Sequence, residues 1–355
     1  MVLRRLMRSL GECSKHPRNL SREEASHAFT AILNGSESDA LVASFFVTLR
    51  WKGVTTEELS GMAMAARAKA RVPCAGMSGL VAVAPPQDGH ETVPPLEVAA
   101  GLVAAAAGAR VLVVSDRCVP PKRGLTAANV LEGLGLSMTW DPSEAEDWIV
   151  KAGFATVSVA GLCPPLLGLR KVRGDMAIRT PLSTLEKLIA PAGAAMLIGA
   201  QTGPVLGTAA EVLKGLGHRR GVVLQGLDGG VVPHVRRRTR GIEIDGDHLV
   251  SLTVEPADFG LEANEDPELP LFPPQEDGQG ASDNPALCDA AASATRAVLA
   301  GESGPARQAT LVCAALMLKA SGRCLTIAEG VDAATKALDS GAASERVDRL
   351  RALLS

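Results

Sequence analysis

Apolar and polar positions along the first 70 residues repeat with a helical period. Ala25, Ala28, Phe29, Ile32 and Leu33 fall on one face, and Leu41, Val42, Phe45, Phe46 and Leu49 on another. Each run has its own punctuation. Ser21 with Glu24 three residues on forms a capping box, and Asn34-Gly35 ends that helix. Ser38-Asp39 opens a second helix that Trp51-Lys52-Gly53 stops, and Thr55-Thr56-Glu57-Glu58 opens a third that runs through Met62 to Ala70. Short helices joined by glycine turns predict a small helical bundle.

Beyond residue 79 the period changes. Short apolar runs at 80–84, 111–114, 154–160, 195–199 and 221–224 read as strands, with helices at 94–108 and 126–135 between the first of them. Strands alternating with helices predict a mostly parallel sheet covered on both faces. Residues 264–284 form an acidic, proline-containing connector, and helices resume at 285–300, 305–320 and 325–339. The expected fold is therefore an α/β two-lobe chain. Residues 1–70 form a helical lobe, and residues 71–355 form the larger lobe.

Composition narrows this picture. The chain has six Phe, three Trp and no Tyr, so its core is aliphatic. The seven cysteines contain no CxxC pair and read as reduced thiols, which suits a cytoplasmic protein. The N-terminal segment from Met1 to Arg8 is basic and amphipathic without a long apolar run after it, so it does not read as a secretory signal, and no segment reads as a membrane span. A net charge of −3 argues against a chain that is basic all over, although a local basic groove is compatible with it.

Leu20-Ser21-Arg22-Glu23-Glu24-Ala25, Ile32-Leu33-Asn34-Gly35, Leu49-Arg50-Trp51-Lys52-Gly53, Ala128-Asn129-Val130-Leu131-Glu132-Gly133, Val172-Arg173-Gly174-Asp175-Met176-Ala177-Ile178-Arg179-Thr180, and Gly304-Pro305-Ala306-Arg307 follow one another along the chain. In that order these segments resemble the anthranilate phosphoribosyltransferase family, glycosyltransferase family 3. The resemblance implies the nucleoside phosphorylase/phosphoribosyltransferase catalytic-domain fold, hinge helices from about 163–190 packing on the helical lobe, and a homodimer formed through that lobe.

Phosphoribosyl transfer needs backbone amides around a diphosphate, carboxylates for magnesium, and a polar pocket for the acceptor. By the resemblance, those positions are largely altered. The glycine-rich phosphate loop becomes Ala84-Pro85-Pro86-Gln87-Asp88-Gly89, in which two prolines remove two amide donors and Asp88 alone survives. Thr92-Val93-Pro94 replaces a segment that carries Asn and Ser. The Lys-His-Gly segment is replaced around Val114-Ser115-Asp116, where Asp116 would repel phosphate. The metal carboxylates fall on Val231-Val232, which implies no metal site. Cys163 stands where the family has an acceptor-binding His. Arg173 matches the arginine that contacts the anthranilate carboxylate, with a helix-surface ion pair as the other reading. His90, beside prolines in a loop, is expected to be solvent-exposed and idle. No residue is assigned a catalytic role.

The departures Gly11–Leu20, Leu162-Cys163-Pro164-Pro165-Leu166 and Ser183-Thr184-Leu185-Glu186-Lys187-Leu188 resemble a bacterial branch that keeps the fold without the transferase activity. That branch implies non-specific nucleic-acid binding along a basic groove across the dimer. Arg4, Arg5, Arg8, Lys15, Arg18, Lys122, Arg123, Arg170 and Lys171 are the candidate phosphate contacts, and further basic clusters lie at His218-Arg219-Arg220 and His234–Arg240. The same residues also read as solvated faces offset by the acidic segment. Two other readings stay open. One is an active transferase acting on another acceptor, which would need magnesium and phosphoribosyl pyrophosphate; the other is a dimeric scaffold for a protein partner.

Overall fold

A computed structural model describes residues 2–10, 18–201, 203–271 and 279–354. Lys15 and the Pro-rich part of the connector from Phe272 lie outside the described residues.

The helical lobe contains α1 (Val2–Leu10), α2 (Arg22–Leu33), α3 (Asp39–Lys52) and α4 (Thr56–Lys69). Their ends follow the sequence signals. Ser21 and Glu24 form the capping box of α2, Thr55 and Glu58 form that of α4, and the Ser38 side chain accepts from the Leu41 amide. Phe29, Phe45 and Phe46 are fully buried and meet edge to face, with ring centroids 6.1 and 5.5 Å apart. At Gly61 a Cβ would stand 2.1 Å from the Arg22 carbonyl oxygen, so a glycine is what lets α2 and α4 approach so closely.

The larger lobe is built on one sheet of seven strands: β1 (Leu80–Ala84), β2 (Arg110–Val114), β3 (Phe154–Val157), β4 (Ala195–Gly199), β5 (Arg220–Leu224), β6 (Thr239–Asp245) and β7 (His248–Val254). Their order is β3-β2-β1-β4-β5-β6-β7. The first five are parallel, whereas β6 and β7 form an antiparallel hairpin at one edge. Every residue of β1 and β4 is buried, as expected of central strands covered on both faces.

The sequence reading misplaces some elements. The strand expected to reach residue 160 ends at Val157, because the Ser158 hydroxyl accepts from the Gly161 amide and turns the chain into a helical turn. The β6–β7 hairpin and the helices Pro142–Ala152, Gly203–Gly215 and Ala342–Leu354 were not anticipated. Two of these carried signals: Asp245-Gly246 between alternating segments, and Asp141-Pro142 at a helix start.

The segment from Pro164 to Leu188 lies against the helical lobe. Lys171 pairs with Asp39 at 3.2 Å, Arg67 of α4 donates to the Leu188 carbonyl at 2.8 Å, and Arg50 of α3 donates to the Arg179 carbonyl. Chain order along the sheet reverses between β1 and β4, and the loops leaving their carboxyl ends open a crevice there. Arg50, Val54 and Leu59 of the helical lobe form its opposite wall.

Candidate functional site

The loop after β1 is closed upon the chain itself. Residues 85–90 are all buried. The Gln87 side chain donates to the Val114 carbonyl at 2.8 Å and accepts from the Asp116 amide at 3.0 Å, tying the loop to the end of β2. The four amides from Gly89 to Thr92 are also engaged. Gly89 N donates to Pro86 O, and His90 N to Leu125 O at 2.7 Å. Glu91 N and Thr92 N both donate to the Asp228 carboxylate, at 3.0 and 3.1 Å. Two consecutive amides gripping one anion is the geometry by which a loop holds phosphate, but here the anion is the protein's own aspartate. Burial pushes the Asp228 carboxyl up, yet the two amides, with His90 and Lys122 nearby, outweigh it and hold it below its ordinary value.

Gly89 shows how tightly the loop is packed. It sits at φ +78°, and a Cβ there would meet the Gly124 backbone at 2.4 Å. Gly124 belongs to the loop after β2, whose amide donates to Asp88 O at 2.8 Å. The loops after β1 and β2 are thus bonded to each other.

Asp88, the surviving acid, receives two hydrogen bonds of 2.6 Å each from Arg179, whose remaining nitrogen reaches Gln201 at 3.0 Å. Asp116 does not present the open negative charge expected of it. It is buried, accepts from the Ser158 hydroxyl and the Ala160 amide, and pairs with Arg170 at 2.7 Å. His90 is likewise not exposed. It is 1% accessible, with neither ring nitrogen hydrogen-bonded, and its Nε2 lies 3.9 Å from a Glu97 carboxylate oxygen. Burial pushes the imidazole down to about 4 and the Glu97 carboxyl up to about 7, so both are held toward neutrality. Proximity to proline misled the reading because this loop is roofed by the one after β2.

Arg173 is not on a helix surface. It is 2% exposed, pairs with the Glu186 carboxylate and donates to the Ser183 hydroxyl at 3.0 Å. Burial raises the Glu186 carboxyl, and the Arg173 guanidinium opposes the rise. Cys163 is fully buried with its thiol directed at the Ala66 carbonyl, and burial pushes that thiol up to about 11, which leaves it unreactive. Neither residue lines the crevice.

The residues present do not fit magnesium. Val231 and Val232 are core residues, and among the described residues no three His, Cys, Asp or Glu side chains group as metal ligands. Asp88 and Asp228, the carboxylates at the strand ends, are bound to a guanidinium and to amides.

The crevice itself is a cavity of about 360 Å³ between the lobes. Asp88, Arg179, Lys187, Gln201 and Arg50 line it, together with Thr180, Ser183 and Thr184 of the hinge. Sequence reasoning passed over Arg179 and Lys187, although both stood in segments that carried the resemblance. The only local signal for Lys187 was a lysine set between Leu185 and Leu188.

Most of the basic candidates are ion-paired. Arg18 meets Glu24, Lys122 meets Glu91 at 2.6 Å, Arg123 meets Asp283 at 3.1 Å, Arg170 meets Asp116, and Lys171 meets Asp39 and Asp175. Arg4, Arg5 and Arg8 are exposed on α1, and among the described residues they have no ion pair. The same holds for Arg236, Arg237, Arg238 and Arg240. Three of these line a second cleft of about 860 Å³, but they share it with Asp228, Glu255, Asp266 and Glu268, so that cleft has no positive excess. Asp266 there clamps His234 at 2.7 Å and two backbone amides.

Comparison with known proteins places this architecture. Residues 2–70 match the helical bundle domain of the glycosyl transferase family, and residues 88–344 match its α/β domain. The anthranilate phosphoribosyltransferase of Solibacter usitatus is 32% identical over 98% of this chain and 97% of its own, and that of Geotalea daltonii is 31% identical over 94% and 95%. The crystal structure of the Thermus thermophilus anthranilate phosphoribosyltransferase superposes with a TM-score of 0.80, covering 99% of each chain at 26% identity. A helical lobe and an α/β lobe matched over nearly their whole length establish that this chain belongs to the glycosyl transferase family that includes the anthranilate phosphoribosyltransferases.

Proposed function

We propose that this chain is a member of the family that has given up transfer to anthranilate and binds nucleic acid through its phosphates, as a cytoplasmic homodimer and with little sequence preference. The observation that carries the first half is the set of amides from Gly89 to Thr92. All four donate within the chain, two of them to Asp228, so a diphosphate would have to displace bonds the fold already makes. The Arg173–Glu186 pair supports it further. The position that resembles the acceptor-carboxylate arginine already holds a carboxylate, supplied by the chain itself.

Arg4, Arg5 and Arg8 support the second half. They form an exposed row on one helix, without an ion pair among the described residues, and a twofold axis through the helical lobe would present the row twice. Trp51, 84% exposed at the end of α3, and the half-exposed Met64 on α4 are apolar surface available for that dimer contact. The ion-paired basic residues add less, since a phosphate must first break an existing pair.

A second reading keeps transferase activity on a different acceptor, and the cavity left open between the lobes favours it. Calorimetry with phosphoribosyl pyrophosphate and magnesium separates the two. A flat trace is expected, and saturable heat would overturn the first half. Fluorescence anisotropy with short labelled DNA tests the second half. Affinity should fall steeply with salt, and Arg4, Arg5 and Arg8 changed together to Ala should flatten the logarithmic slope by roughly 2 to 3 for each copy of the row that engages the DNA. No binding at low salt would sink the nucleic-acid reading.

A further inference from the structure

We propose that Lys187 is a nucleophilic amine that captures a small aldehyde carrying an anionic group, forming an imine inside the inter-lobe cavity.

Lys187 is held in an uncommon way for a buried lysine. Its side chain lines the cavity, yet the residue is only 8% exposed. The amine donates one hydrogen bond, to the Gly199 carbonyl at 2.7 Å, and among the described residues it has no carboxylate within ion-pair distance. A buried lysine normally has such a partner, because an uncompensated ammonium is costly away from water. The two carboxylates that act on it from the surrounding elements are both committed elsewhere: Asp88 of the β1 loop to Arg179, and Glu186, its chain neighbour, to Arg173. Lys187 thus stands between two closed guanidinium–carboxylate pairs and receives a full counter-charge from neither. Burial pushes the ammonium down to about 8; Arg179 and Arg173 add to this, and Asp88 and Glu186 oppose it. Desolvation together with neighbouring cations is how a lysine amine is made nucleophilic at neutral pH.

The cavity determines what such an amine could meet. Val54, Leu59, Pro181 and Val205 give it apolar walls, and about 360 Å³ accommodates a molecule the size of a substituted benzene ring. Arg50 is exposed at the rim and gives an anionic group something to face. The chemistry balances without any further reagent. The neutral amine, formed by loss of a proton to solvent, attacks the carbonyl carbon, and the oxygen is protonated to a carbinolamine. Loss of one water then leaves the protonated imine, so ammonium plus aldehyde give iminium plus water.

At pH 7 about one amine in ten is neutral at such a site, against fewer than about one in a thousand for an ordinary lysine. Lower basicity also lowers intrinsic nucleophilicity, which leaves an advantage of at least about tenfold. The test is reductive trapping of the intact protein with 4-formylbenzoate and cyanoborohydride near neutral pH, read by peptide mass spectrometry. Lys187 should be modified at least about tenfold faster than the exposed Lys151 and Lys171. Benzaldehyde, which lacks the carboxylate, should label it more slowly. Val205→Trp, which fills the cavity, should suppress labelling at Lys187 and leave Lys151 unchanged. Labelling of Lys187 no faster than Lys151 in the unaltered protein would overturn the proposal, and so would labelling that persists in a folded Val205→Trp variant. Both readouts are independent of nucleic-acid binding.

Discussion

The loop after β1 and the hinge segment 173–187 face the same crevice, and the chain treats them differently. A guanidinium–carboxylate pair ties the two together, Asp88 of the loop to Arg179 of the hinge, and a second, Arg173–Glu186, closes the hinge on itself. In the loop, backbone amides are engaged as well, and the packing is so tight that Gly89 and Gly124 meet back to back. In the hinge, one cation is left over. Lys187 has a carbonyl for a partner and, among the described residues, no carboxylate, and it borders open volume. The contrast teaches that two walls of one crevice can be closed to different degrees. The loop wall is solid protein, while the hinge wall borders a cavity and a buried amine.

The largest effect expected is at the hinge pair. Arg173→Ala leaves the Glu186 carboxylate buried without its cation and should cost about 3–5 kcal/mol in a urea melt. Arg173→Met combined with Glu186→Leu removes both charges and should recover most of that loss. If the single and double variants melt alike, the pair is not what closes the hinge.

A smaller loss is expected in the loop. Gly89→Ala forces a Cβ into a left-handed position against the Gly124 backbone and should cost about 2–3 kcal/mol by the same measurement. A neutral Gly89→Ala would mean that the two loops part easily, and the contrast with the open hinge would collapse.

The smallest effect concerns Asp228. Its folded value is depressed, so its contribution to stability is present above the ordinary aspartate range and is lost as pH falls through the folded value. Asp228→Asn keeps an acceptor for the Glu91 and Thr92 amides but not the charge. It should cost about 1 kcal/mol at pH 7 and show a shallower acid limb in thermal melts. An unchanged acid limb would remove Asp228 from the closure of the loop.

What the sequence by itself determined was local. Ser21 with Glu24 and Thr55 with Glu58 start their helices as expected, because a cap is satisfied within four residues. The five parallel strands were legible as apolar runs, and the two prolines at 85–86 by themselves leave the β1 loop two backbone donors short. The β6–β7 hairpin was passed over because its alternation is one-sided and mixed with charge, as befits a sheet edge. Tertiary structure decided everything that depends on partners distant in the chain. Asp88 meets an arginine 91 residues away, Asp228 grips amides more than 130 residues before it, and His90 is buried by a loop that begins after the next strand. Arg173 and Lys187 stand 14 positions apart with the same formal charge; Arg173 is packed against the Glu186 carboxylate, whereas Lys187 reaches the Gly199 carbonyl and, among the described residues, no carboxylate. A charge's role follows from its counter-charge and its access to water, and both are set by packing rather than by sequence position.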